Sequence, residues 1–162
     1  MHSDHPFVVA APDHPSLDGA IVRFCDGLRA EARWFGRRAA DCAKPSPSLI
    51  RRLASMEPGL RLAAVLDGEI IGLARIDTSA QSGPELLVAV AAPWRRQGVA
   101  LALGQAIVAQ AHDAGIDRVV LHTSYRGSEL RELGAALGFQ VVDLGRGRLD
   151  LIRTFRPASQ SA

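Results

Sequence analysis

A mixed α/β (α+β) domain is what the sequence predicts, with a mostly antiparallel sheet, one central parallel pair of strands and helices on both faces. Three observations lead there. Asp67-Gly68 stands between two apolar runs, and that dipeptide supplies the positive φ angles of a tight hairpin turn. The apolar run Leu86–Val90, a long apolar helix and a second apolar strand at Arg118–His122 then make a strand–helix–strand crossover, whose strands lie parallel and right-handed. Finally, Phe139–Asp143 and Arg148–Phe155 flank Gly145-Arg146-Gly147, a second hairpin.

In chain order, Phe7–Ala11 reads as a first strand stopped by Pro12, with Asp13 to Ser16 as turn and cap material. A helix over Leu17–Leu28 follows, carrying the apolar stripe Ile21, Phe24, Cys25 and Leu28, and Glu31–Phe35 continues the helical pattern. Lys44-Pro45-Ser46-Pro47-Ser48 breaks it, and Ser46 or Ser48 is placed to cap a short helix over Leu49–Met56. The hairpin strands are Leu62–Leu66 and Glu69–Asp77, and Ser79–Pro84 connects them to the central strand. Pro93 cannot donate to a ladder, so that strand ends near Ala91 or Ala92. Val99–Ala111 is rich in helix formers, interrupted only by Gln105 and Gln110, and Gly115 ends the helix. Tyr125 to Ser128 is a turn, Ser128 the expected cap of a helix over Glu129–Leu137, and Gly138 its stop. The expectation is a single domain over 1–157 with a disordered tail at 158–162.

Composition narrows the function classes. With 48% hydrophobic and 22% charged residues, the balance is that of a soluble globular domain. No run is long enough to span a membrane, and MHSDHPFVV lacks a basic region followed by an apolar segment, so a cytoplasmic address is expected. A net charge of +2, with acids interspersed among the arginines and Lys44 the only lysine, argues against nucleic acid and for a local anion site. Cys25 and Cys42 have no metal or disulfide spacing and the five histidines are scattered, so no metal is expected.

The chemistry concentrates after the central strand. Arg95, Arg96, Gln97 and Gly98 form a basic, glycine-containing turn directly before the apolar helix. A helix start carries unpaired N–H groups and partial positive charge, which makes such a turn a phosphate site. The spacing Arg95-x-x-Gly98-x-Ala100, with an apolar strand before it and an apolar helix after it, resembles the pyrophosphate-binding signature of the GNAT superfamily of N-acetyltransferases. The order of elements over roughly residues 60–155 is similar to that family too. The resemblance implies acetyl-CoA as cosubstrate and no metal. It implies cofactor contacts from the backbone of Val90, Ala91 and Ala92, where the parallel strands splay, and from Arg95, Arg96, Gln97, Gly98, Val99 and Ala100. It implies direct attack on the thioester by a primary amine, borne by a small molecule or by a protein lysine or N-terminus. Homodimerisation stays open, as does a catalytically weak acyl-CoA-binding or regulatory domain on the same fold.

Such transfer needs a base for the acceptor ammonium. Glu85, at the start of the central strand, matches the acidic position that several GNAT families use, often through water, with Asp77 and His122 behind it. An exposed strand-end carboxylate is the competing reading. Two positions depart from the resembled pattern: Gly127 stands where a cofactor-contacting Asn is common, and Gly134 where a tyrosine acid is common. Tyr125, the only tyrosine, is then the candidate to protonate the thiolate.

Overall fold

The computed structural model describes residues 6–13, 15–34, 46–55, 57–124 and 127–155. Its elements in order are β1 (Val8–Ala10), α1 (Asp18–Trp34), α2 (Pro47–Ala54), β2 (Gly59–Leu66), β3 (Glu69–Asp77), β4 (Glu85–Val90), α3 (Val99–Asp113), β5 (Arg118–Ser124), α4 (Ser128–Ala136), β6 (Gln140–Gly145) and β7 (Arg148–Thr154). The strands form one sheet in the order β1-β2-β3-β4-β5-β7-β6, antiparallel at every junction except β4 beside β5.

Alternation along the strands divides two apolar layers between helices on opposite faces. Leu62, Ala74, Ile76, Leu86, Val119 and Leu151 pack beneath Val99, Leu103 and Ile107 of α3. Ala63, Leu73, Leu87 and Ala89 pack beneath Phe24, Cys25 and Leu28 of α1 and Ile50 and Leu53 of α2. A helix as apolar all round as α3 is stable only when covered, which is why it lies across the sheet centre. Cys25 is a buried packing residue, and burial pushes its thiol up from the ordinary value.

The predicted turns form for the predicted reasons. Asp67 and Gly68 take φ of 50° and 78°, and Arg146 and Gly147 take 54° and 77°. Ser46 caps α2, its side chain accepting from Leu49 N–H at 3.1 Å, and the helix begins at Pro47 because a proline's missing donor costs nothing in a first turn. The cap of α4 differs from the expectation: Gly127 occupies it and Ser128 is already helical, since Gly127 C=O accepts the first bond, from Arg131 N–H at 3.1 Å. β2 also starts earlier than Leu62, at Gly59, opposite Asp77. Buried Arg75, opposite Arg61, secures this strand start by donating to the carbonyls of Ser55 and Glu57.

Candidate active site

The site is made where β4 and β5 part. They share one register position, Glu85 with Val120, marked by Val120 N–H donating to Pro84 C=O at 2.9 Å. On its other edge β4 pairs with β3 along its whole length, to Gly72 with Val90, and Ala91 N–H continues to Ile71 C=O. Backbone groups alternate between edges, so the amides of Val88 and Val90 face the side from which β5 has departed. Into that opening points the start of α3.

Pro93 carries the chain through a short 3-10 turn at Ala92–Trp94, and the loop then needs two left-handed residues, Arg96 at φ 60° and Gly98 at φ 80°. Gly98 is the N-cap of α3, whose ladder starts with Ala102 N–H to Gly98 C=O at 3.0 Å. The amides from Gly98 to Leu101 therefore lack intrahelical acceptors, and no acid occupies the first turn. They line a cleft of about 550 Å³, together with Val88, Ala89 and Val90 on one side and Ser128, Glu129 and Leu133 of α4 on the other. An anion is the ligand this arrangement suits.

The two arginines divide their work. Arg95 borders the cleft, but its guanidinium turns to both carboxylate oxygens of Glu31 on α1, one at 2.9 Å, and its Nε donates to Val90 C=O at 3.1 Å. It straps the loop to α1 and β4. Arg96 reaches Glu129 at 3.1 Å with its side chain 83% exposed, at the cleft's rim. Gln97 closes the loop on itself by donating to Pro93 C=O at 2.8 Å.

Past Val88 the cleft adjoins a smaller chamber of about 230 Å³; Leu49, Val88 and Leu130 border both. Glu85, Arg52 and His122 line it. Glu85 is 8% exposed and stands directly opposite Asp77, a like-charge pairing that would be unfavourable alone. Arg52 resolves it from α2: Nη2 donates to Asp77 Oδ2 at 2.8 Å and to Glu85 Oε2 at 2.5 Å. Ser79 adds its amide and hydroxyl to Asp77 Oδ1 at 3.0 and 2.7 Å. Burial works against the Asp77 anion, yet these bonds from Ser79 and Arg52 outweigh it and hold the carboxyl down at about 2.

That depression has a stability sign. The folded Asp77 value lies below the ordinary 3.8, so its contribution of roughly 2 kcal/mol is complete above that value and lost as pH falls toward about 2. In Arg52→Met the two carboxylates face each other without their shared cation. Circular dichroism against pH is expected to show unfolding at higher pH, with about 2–4 kcal/mol less stability at neutral pH. An acid transition identical to the native one would contradict the bridging role.

His122 lies on the same sheet face, two residues beyond Val120. Its Nδ1 is 2.6 Å from Asp150 Oδ1, its register partner on β7, and its Nε2 is 3.0 Å from Ser82 Oγ. Tyr125 lies outside the described residues. Gly134 faces the sheet: a Cβ there would meet Leu151 Cδ1 at 2.5 Å, so no larger side chain fits at this position without repacking. Among the described residues, no group of three or more His, Cys, Asp or Glu is arranged to hold a metal, and no helix is long and apolar enough to cross a membrane.

An open mixed sheet that parts beside a basic helix start defines an acyltransferase-type fold, and comparison with known proteins identifies it. The acetyltransferase (GNAT) family profile matches residues 28–139. The chain belongs to that family. Its fold is shared with the GNAT domain of S. lividans PAT, at 20% identity and TM-score 0.69 over 92% of this chain and 90% of that one. A GNAT superfamily phosphinothricin acetyltransferase from Sinorhizobium meliloti, solved with AcCoA, aligns at 15% identity and TM-score 0.67 over 93% and 89%. The Salmonella typhimurium protein yncA, solved with acetyl-CoA, aligns at 15% identity and TM-score 0.62 over 98% of each chain. No curated protein matches the sequence.

Proposed function

We propose that the protein, acting as one domain over residues 1–157, transfers acetyl from acetyl-CoA to a primary amine by direct attack. The observation that carries this is the continuity of the site: amides at the start of α3, the unpaired edge of β4, and a chamber holding a buried carboxylate follow one another along one strand. The acetyl-CoA bound to two proteins of the same fold supports the reading.

The amides of Gly98, Val99, Ala100 and Leu101 receive the pyrophosphate, with Arg96 adding charge at the rim. The backbone of Val90, Ala91 and Ala92, with the free edge at Val88, holds the pantetheine arm and turns the thioester toward the chamber. There Glu85, through a water, takes the proton of the acceptor ammonium. The neutral nitrogen attacks, the N–C bond forms, the C–S bond breaks and the coenzyme A thiolate leaves, while the nitrogen gives up its second proton to water. With Gly134 turned into the core, Tyr125 is the remaining side chain proposed to return a proton to that thiolate. The cytoplasm, where acetyl-CoA is made available, is the proposed location.

Thiol release from acetyl-CoA with a panel of primary amines tests this, with coenzyme binding measured in parallel. Amine-dependent release above the amine-free rate is the expected result. Binding with no transfer to small amines, peptides or proteins would leave a coenzyme-binding regulatory domain instead.

A further inference from the structure

We propose that Ser82, His122 and Asp150 form a second acyl-transfer centre, in which Ser82 takes acetyl from acetyl-CoA when no amine fills the chamber and water then releases it as acetate. This rests on the reading that the cleft brings the thioester to the chamber, and it adds a thioester hydrolase activity to it.

The three residues come from separate segments and meet in one line. Ser82 belongs to the connection between β3 and β4, His122 to β5 and Asp150 to β7. Asp150, its side chain 15% exposed, can only accept when ionised, so His122 Nδ1 carries the hydrogen across their 2.6 Å separation. In its neutral form the ring presents its Nε2 lone pair to Ser82 Oγ–H at 3.0 Å. Nucleophile, base and orienting carboxylate are thus each one hydrogen bond apart, the relation that activates a serine. Their place suits the substrate. His122 lines the chamber that Glu85 also lines, and Ser82 is exposed one hydrogen bond from that wall.

The step balances without any other reactant than water. Ser82 Oγ bonds to the thioester carbon and the C–S bond breaks. The hydroxyl proton passes to His122 Nε2 and on to the departing sulfur, giving coenzyme A thiol. His122 next takes a proton from water, whose oxygen bonds to the acyl carbon. The C–Oγ bond breaks, Ser82 recovers the proton and acetic acid leaves, giving its remaining proton to water as acetate.

The test uses the full chain with acetyl-CoA and no amine, following thiol and acetate release and the mass of quenched protein. One acetyl group on the Ser82 peptide is expected, with amine-free release falling roughly 10²-fold or more in folded Ser82→Ala and His122→Gln. Ser82→Cys is expected to keep the adduct, as a thioester. Amine-free release in Ser82→Ala equal to the native rate, or no adduct on native protein that does acetylate amines, would overturn this proposal alone. Native protein that fails to bind acetyl-CoA would overturn it together with the proposed cofactor site.

Discussion

Gly98→Val is expected to remain folded and to lose coenzyme A binding, with Kd weakened at least ~100-fold, equivalent to ~2.7 kcal/mol. Two effects act in the same direction. The residue sits at φ 80°, a left-handed conformation that a β-branched side chain adopts only under strain of about 1–3 kcal/mol. The helix start would then shift, moving the amides from which the phosphate site is built. The added side chain would also stand beside those amides, in the cleft that Gly98 lines. Strain at one loop residue is small against the apolar layer that holds α3 to the sheet, so the melting transition stays cooperative. Calorimetric titration checks the affinity, and a folded variant with native affinity would show that the anion lies elsewhere.

Glu85→Gln is expected to separate binding from chemistry. Glutamine keeps the shape and the capacity to accept from Arg52, and Arg52 keeps its bonds to Asp77, so the buried charges become a matched pair. Folding and coenzyme affinity should therefore survive. Proton acceptance is lost, and amine-dependent turnover is expected to fall by roughly 10²–10⁴-fold. Native turnover in a folded Glu85→Gln protein would assign the carboxylate to the Arg52 bridge alone and leave the acceptor ammonium to lose its proton to water.

How far the molecule could be read in advance follows from the range of each signal. Asp67-Gly68, the apolar stretch from Val99 and the stop at Gly115 are local signals, and the elements they mark form at or near the expected bounds. The early start of β2 was hidden because Gly59 and Arg61 resemble turn and surface residues; only pairing with β3 makes them strand. At the site, the basic, glycine-containing turn before α3 was legible for the same local reason, while the left-handed φ of Gly98 was not. The tie from Arg95 to Glu31 spans 64 residues, and the bridge from Arg52 joins positions 25 and 33 residues away. Nothing in the short helix carrying Arg52 marks it as other than a surface arginine. The line through Ser82, His122 and Asp150 likewise exists only once β5 pairs with β7 in one register. The resembled pattern marked Gly134 but not its direction, which the packing against Leu151 decides.

Melting temperature under titration with acetyl-CoA, coenzyme A and ATP tests the proposed site most directly, because a ligand that binds only the folded state stabilises it by mass action. Acetyl-CoA and coenzyme A are expected to raise it progressively, reaching ~2.7 kcal/mol of stabilisation at a hundredfold excess over Kd, while ATP leaves it near the unliganded value. Equal stabilisation by ATP, or none by acetyl-CoA, would contradict a cleft built for the pyrophosphate and the pantetheine arm together.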